Sequence, residues 1–313
     1  MAKKLPHLPQ QHGALVLDKP QGPTSYGCLE QIKRGLGQRK IGHAGTLDPM
    51  ARGVLVVLFG QATKLASYIT DGDKIYRGRL RLGLETDTYD IEGTVEHEFS
   101  WEHITPEAVS QDISGWRELR EQEVPAYSAA KHKGKPLYAL KRNGEEVPVK
   151  TKPVRIYDAQ TLDIALPEVQ FRVSCSQGTY VRSLAHSLGK RLGCGATLTA
   201  LVREYSHPFA LEHAVALQTV LEEPGGLATN ILPLECCLPH WPALALDGRH
   251  AREVQNGARL LVRDVTTDFT VHPGDRAQFV DASGRLLALV EAKWEGPVLV
   301  WGILRGFTPQ KLH

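Results

Sequence analysis

Five cysteines in 313 residues, at positions 28, 175, 194, 236 and 237, form no Cys-x-x-Cys pair. The odd count and the spacing argue against a disulfide framework and against a zinc site, and leave packed, reduced thiols. Thirteen histidines are scattered without a His-x-x-x-His pair, so no metal is expected. No P-loop lysine motif is present and no Gly-x-Gly-x-x-Gly follows a strand, so no nucleotide cofactor is expected. No apolar run approaches the roughly 18 residues of a membrane span. The first residues, Met1 to His7, lack the apolar stretch of a secretory signal. The expected location is the cytoplasm.

What is present allows a large core. The chain is 42% hydrophobic, and its length suits one large domain or two. The formal net charge of +2 conceals a strong polarity. Residues 85–123 hold twelve acids against Arg117 and Arg120, a run that reads as a solvated face. Residues 131–155 hold eight lysines and arginines against Glu145 and Glu146. That segment has few apolar anchors and several glycines and prolines, the composition of a mobile basic arm able to neutralise phosphates.

Period and punctuation place the elements. Leu15–Pro20 reads as a strand ending at a turn, and Thr24 or Ser25 caps a helix whose Cys28, Leu29, Ile32 and Leu36 share a face. Val54–Phe59 is an unbroken apolar run, the pattern of a fully buried strand. Residues 75–84 alternate, with leucines on one face and Arg77, Arg79 and Arg81 on the other. A helix with Val181, Leu184, Ala185, Leu188 and Leu192 inward ends at Gly193. Interspersed strands and helices give an α+β class. After a proline-marked linker, Pro233 to Pro242, short strands separated by turn sequences mark a small β-barrel or meander.

Chemistry concentrates in Gly42-His43-Ala44-Gly45-Thr46-Leu47-Asp48-Pro49. A lone Asp-Pro reads first as a turn. Here, however, Asp48 sits on a short loop joined directly to the buried strand, and short loops on rigid scaffolds are where catalytic groups tend to sit.

This block closely resembles the signature of the pseudouridine synthases of the TruB type. Four further segments resemble the same family in the same order. They are Leu17-Asp18-Lys19-Pro20-Gln21-Gly22-Pro23-Thr24-Ser25, Lys74-Ile75-Tyr76-Arg77, Pro125-Ala126-Tyr127-Ser128-Ala129-Ala130-Lys131 and Ser176-Gln177-Gly178-Thr179-Tyr180-Val181-Arg182-Ser183-Leu184.

The resemblance implies isomerisation of uridine 55 in the T-arm loop of tRNA, with no cofactor. It makes Asp48 the nucleophile, Arg182 its cationic partner, and Tyr76 an aromatic that stacks on the uracil and assists proton loss from C5. It makes His43 the wedge that holds the target base flipped out, and Tyr180 and Leu201 the pocket walls. Lys19 and Lys64 become supports of the loop or phosphate contacts. Lys131, Lys133 and Lys135 belong to a basic thumb, about residues 123–153, that closes over RNA.

The implied architecture is a catalytic domain over residues 1–237 built on a mixed, largely antiparallel sheet flanked by helices. A small C-terminal all-β pseudobarrel resembling the PUA domain follows over residues 243–313. The expected partner is tRNA, bound by a monomer. His186 and Ser187 depart from the family, in which acidic residues often stand on the arginine's helix one turn on, so Arg182 is expected to be held differently, Asp48 alone being one way. Ala139 departs as well, at a thumb position that is often acidic. The competing readings are a tRNA-folding chaperone in which catalysis is secondary, and a synthase subunit that uses a guide RNA. Extra basic extensions, usual in that last class, are not seen.

Overall fold

A computed structural model of the protein describes residues 8–223 and 225–308; the stretch Met1 to His7 and the last five residues lie outside them. A nine-stranded mixed sheet organises the larger part. Its strands are β1 (Gly13–Lys19), β2 (Ile41–Ala44), β3 (Ala51–Phe59), β4 (Lys74–Leu82), β5 (Ile156–Ala165), β6 (Glu168–Cys175), β7 (Ala196–Ser206), β8 (Phe209–Ala210) and β9 (Val215–Ala216). They run in the order β5-β6-β4-β7-β3-β1-β9, with β2 on β3 and β8 on β7. Only β7 with β3 and β1 with β9 pair in parallel. The class is therefore α+β with a largely antiparallel sheet.

Period-two patterning decides the faces. On β4 the side chains of Tyr76, Leu80 and Leu82 are buried and Arg77, Arg79 and Arg81 are exposed. The buried face is covered by α1 (Ser25–Leu36), α2 (Pro106–Ser114) and α3 (Val181–Leu192). Helix α1 starts where its sequence indicates: Thr24 Oγ1 accepts from the Gly27 amide at 2.8 Å, and Gly37 closes it in the left-handed region. Helix α3 likewise stops at Gly193 with φ 72°.

From Val54 to Phe59 strand β3 is apolar because both of its faces are buried there. Leu55, Val57 and Phe59 join the helical side. Val54, Val56 and Leu58 meet Leu234, Cys237, Leu238 and Trp241, together with Leu286, Leu289 and Phe307. The proline-marked linker is thus a packed part of the core: its prolines set turns while its apolar side chains fill the seam.

Beyond it lies a curled five-stranded sheet in the order β10-β12-β13-β14-β11, from β10 (Ala243–Ala245), β11 (Leu260–Leu261), β12 (Arg276–Val280), β13 (Leu286–Glu295) and β14 (Val298–Gly306). It encloses its own core around Phe279, Val290 and Trp301. The curled sheet is the half-barrel form of the expected pseudobarrel, but the part is not all-β: a helix, Gly248–Gln255, packs Ala251 and Val254 into the same core, with Asp247 as its N-cap where the sequence suggested a turn between strands.

Between α2 and β5 the basic arm rises from a two-stranded base, Glu121–Glu123 against Thr151–Pro153. It carries a small hairpin, Lys131–His132 with Lys135–Pro136, and a short helix, Leu137–Arg142. Leu137 and Leu140 are buried, so the arm has apolar anchors that its composition hid among the lysines. Cys28, Cys175, Cys194 and Cys237 are buried free thiols, and Cys236 is exposed. Among the described residues no helix is long and apolar enough to cross a membrane.

Candidate active site

The loop from Gly45 to Met50 joins β2 to β3 and is held from three sides. Ser25 Oγ donates to the Leu47 carbonyl at 2.9 Å and accepts from the Leu47 amide at 2.8 Å. Lys19, fully buried, donates from Nζ to the carbonyls of Ala51 (2.7 Å), Pro49 (3.3 Å) and Pro20 (3.0 Å). Arg203, on β7, donates to Val54 (2.7 Å), Gly45 (3.0 Å) and Thr46 (3.3 Å). Two of these clamps, Lys19 and Ser25, come from the Leu17–Ser25 segment, which explains why that segment and the Asp48 block occur together. Gly53 is required here: its φ is 104°, and a Cβ would stand 2.4 Å from the Arg203 carbonyl oxygen.

Asp48 projects from this loop with 35% of its side chain exposed, so a ligand can reach it. Arg182, in the first turn of α3, is 5% exposed. Its Nε lies 2.9 Å from Asp48 Oδ2 and its Nη2 3.3 Å from Oδ1. The 2.9 Å contact is an ion pair and not an aligned hydrogen bond, since the Nε–H points off the oxygen. The rest of the guanidinium is fixed by the carbonyls of Thr88 (Nη1, 2.8 Å) and Tyr127 (Nη2, 3.1 Å), with Asp90 Oδ2 at 3.5 Å.

Arg182 is thus held without an acid from its own helix, but not by Asp48 alone. Asp90 takes the bracing role from a different element. Reading the whole acidic run as a solvated face also fails at Asp90, which is 4% exposed. Burial pushes its carboxyl above the ordinary aspartate value, opposed by the Thr88 hydroxyl and by Arg182.

A cleft of about 430 Å³ opens over the pair, within the range of small-ligand sites. Asp48, Arg182, Tyr76, Tyr180, Leu201 and Arg203 all line it, with Ser128, Ala129 and Ala130 from the arm. Tyr76 faces it from β4, opposite Arg203 on β7. Burial raises its phenol above the usual tyrosine value, with the Arg203 charge opposing. Tyr180 precedes α3 and is tied to the base of the arm: its amide donates to Gln122 Oε1 at 2.5 Å, and Gln122 Nε2 donates back to its carbonyl at 3.2 Å.

Other expected residues lie elsewhere. His43 is half-buried on β2 and does not line the cleft; burial, and next Arg203, lower its imidazole. Lys64 does not line the cleft. Its Nζ donates to the Gly306 carbonyl at 2.8 Å and lies over the Phe307 ring, so it is a strut to the C-terminal sheet. Lys131, Lys133 and Lys135 stand on the arm's hairpin outside the cleft, with Lys135 3.6 Å from Glu145.

Three lining or bracing residues escaped the sequence reading: Arg203, Asp90 and Lys74. Arg203 carried a signal, an arginine inside an otherwise buried strand pattern, Leu201-Val202-Arg203. Lys74 opens β4, donates to the Gly72 carbonyl at 2.6 Å, and is lowered by burial, then by Arg203, to about 8. Among the described residues no group of histidine, cysteine and carboxylate side chains is arranged to hold a metal ion.

Comparisons with known proteins agree with one another. Residues 33–181 match TruB family pseudouridylate synthase (N terminal domain). The chain is 54% identical to a tRNA pseudouridine synthase B from Oleidesulfovibrio alaskensis, over 96% of this chain and 97% of that one. It is 37% identical to one from Thermotoga maritima, over 90% and 91%. In fold it resembles a chain of an H/ACA RNP bound to a substrate RNA containing 2'-deoxyuridine, at TM-score 0.71 and 23% identity, covering 98% of this chain and 93% of the other. A chain of an archaeal box H/ACA sRNP gives TM-score 0.70 at 24% identity, covering 100% and 97%.

Proposed function

We propose that this chain, which belongs to the TruB family of pseudouridylate synthases, converts uridine 55 in the T-arm loop of tRNA to pseudouridine, with Asp48 as the nucleophile. The observation that carries the reading is the two-point contact of Arg182 with Asp48 at the floor of a cleft walled by Tyr76, Tyr180 and Leu201. The tRNA substrate follows from the names of the relatives at 54% and 37% identity.

The reaction is an isomerisation. The bond from N1 to the ribose C1' breaks, the base turns, and C5 bonds to the same carbon. C5 then gives up its proton and N1 gains one, so nothing is oxidised and no atom is lost. A carboxylate nucleophile divides the exchange into two easier steps. Arg182 aims the carboxylate and balances its charge, and the loop clamps limit its movement. Tyr76 enters as the neutral phenol, because burial raises it. That form suits stacking on uracil. Taking up the C5 proton directly would need a phenolate that burial disfavours, so proton loss at C5 calls for another acceptor alongside the ring.

The target base must leave its stack to reach Asp48, at a cost of a few kcal/mol. His43, five residues before Asp48, is assigned the wedge, in its neutral form at pH 7 given the direction of its shift. The lysines of the arm at 131, 133 and 135 hold RNA phosphates, and Lys19 supports the catalytic loop. Residues 1–237 are the catalytic domain, residues 123–153 its thumb, and residues 243–313 a second RNA-binding domain. The enzyme acts as a monomer in the cytoplasm, where its substrate is. A purely folding role for this protein would not require a guanidinium fixed on a reachable carboxylate.

The test is incubation with an unmodified T-arm stem-loop, followed by mapping of pseudouridine. Product at position 55 supports the reading; a modified residue elsewhere, or none, refutes it.

A further inference from the structure

Helix α3 supplies more than Arg182. One turn on, at the position where the family's pattern has an acid, His186 lays its ring flat on Tyr89: the centroids are 3.8 Å apart and the planes 10° from parallel. His186 is 8% exposed, and Tyr89 sits at φ 65°, in the left-handed region that side chains other than glycine rarely occupy. Backbone bonds hold Tyr89 on both sides, from its amide to Thr86 (3.1 Å) and from the Leu198 amide to its carbonyl (3.1 Å). The turn at Tyr89 brings its two neighbours onto one nitrogen: Arg182 Nη1 lies 2.8 Å from the Thr88 carbonyl and 3.5 Å from Asp90 Oδ2.

We propose that the Tyr89–His186 stack is a positioning device that holds the Thr88–Asp90 turn against Arg182 and so fixes the guanidinium on Asp48. The helix that carries the guanidinium thereby also carries the ring that fixes its receptor. His186 acts by contact and not by charge. Burial, with Lys190 adding to it, lowers its imidazole to about 4, so the ring is neutral and does not compete with Arg182 for the carboxylates. Its Nδ1 has no hydrogen-bond partner; the Glu85 carboxylate lies 3.8 Å away. A planar face is therefore the property being used.

This proposal rests on the functional reading above, and its test separates the two. His186→Leu keeps apolar volume without a flat face, and His186→Phe keeps the face. With enzyme in excess over unmodified tRNA, the single-turnover rate constant does not depend on the folded fraction. His186→Leu is expected to slow it by about tenfold, less than the roughly hundredfold that a misplacement of about 1 Å can cost, with tRNA Kd within about twofold. His186→Phe should recover most of the loss.

A rate for His186→Leu equal to wild type, a His186→Phe rate as slow as that of His186→Leu, or a loss confined to Kd overturns the proposal. The Nε–Hε resonance of Arg182, assigned with Arg182→Lys, gives a readout without turnover. It should shift in His186→Leu and stay in place in His186→Phe; an unmoved signal in His186→Leu also overturns it. Should His186→Leu fold poorly, Tyr89→Leu removes the same stack from its other side with the same expectations. Absence of pseudouridine with the wild-type enzyme would instead refute the functional reading and leave the resonance to decide this one.

Discussion

Arg203 donates from Nη2 to the carbonyl of Gly45 at 3.0 Å, across the seam between β7 and the loop that carries Asp48. The same guanidinium satisfies Thr46 and Val54. Three separate nitrogens, Nε, Nη1 and Nη2, each serve one carbonyl, a spread that the single nitrogen of a lysine at this position does not have. Arg203→Lys is expected to lower stability by about 2–4 kcal/mol, because buried carbonyls lose their donors. Urea unfolding measures it, and the single-turnover rate should fall with it. A variant as stable as wild type would show that the loop holds itself.

His186 gives a pH signature. The folded protein keeps it neutral down to about 4, whereas the unfolded chain takes up its proton near 6.5. Between those values only the unfolded state binds that proton, so stability falls as pH falls through this window. The loss is on the order of 1–2 kcal/mol after allowance for solvent screening. Melting temperatures between pH 6.5 and 4.5 should drop less steeply for His186→Phe than for wild type. Parallel curves would mean that the histidine is already exposed in the folded state.

The arm's lysines carry a prediction about salt. Each phosphate contact contributes about one unit to the slope of log K against log salt. Changing Lys131, Lys133 and Lys135 together to glutamine should weaken tRNA binding and flatten that slope by roughly two to three units. Filter binding across a salt series reads it. Weaker binding with an unchanged slope would place these residues in the fold of the arm and away from the RNA.

Much of this was legible beforehand, for identifiable reasons. Period-two alternation exposed the two faces of Lys74–Leu82, and the apolar run announced Val54–Phe59 as a buried strand. Asp48, Tyr76 and Arg182 could be named because they sit inside segments that resemble those of one family. Asp90 could not, since an acid amid eleven others looks solvated until the fold sets it beside Arg182. The packing of the linker was not legible because prolines advertise a break while Leu234, Leu238 and Trp241, the side chains that pack, are spread thinly among them. The contact of Lys64 with the Gly306 carbonyl was hidden because the two are distant in sequence.

The most direct test replaces the proposed nucleophile. Asp48→Asn keeps size and removes the charge that Arg182 contacts at 2.9 Å. With C5-tritiated uridine in unmodified tRNA, wild type is expected to release tritium as pseudouridine 55 forms. Asp48→Asn should release none above background while binding the tRNA. Release by Asp48→Asn at a rate near that of wild type would contradict the account.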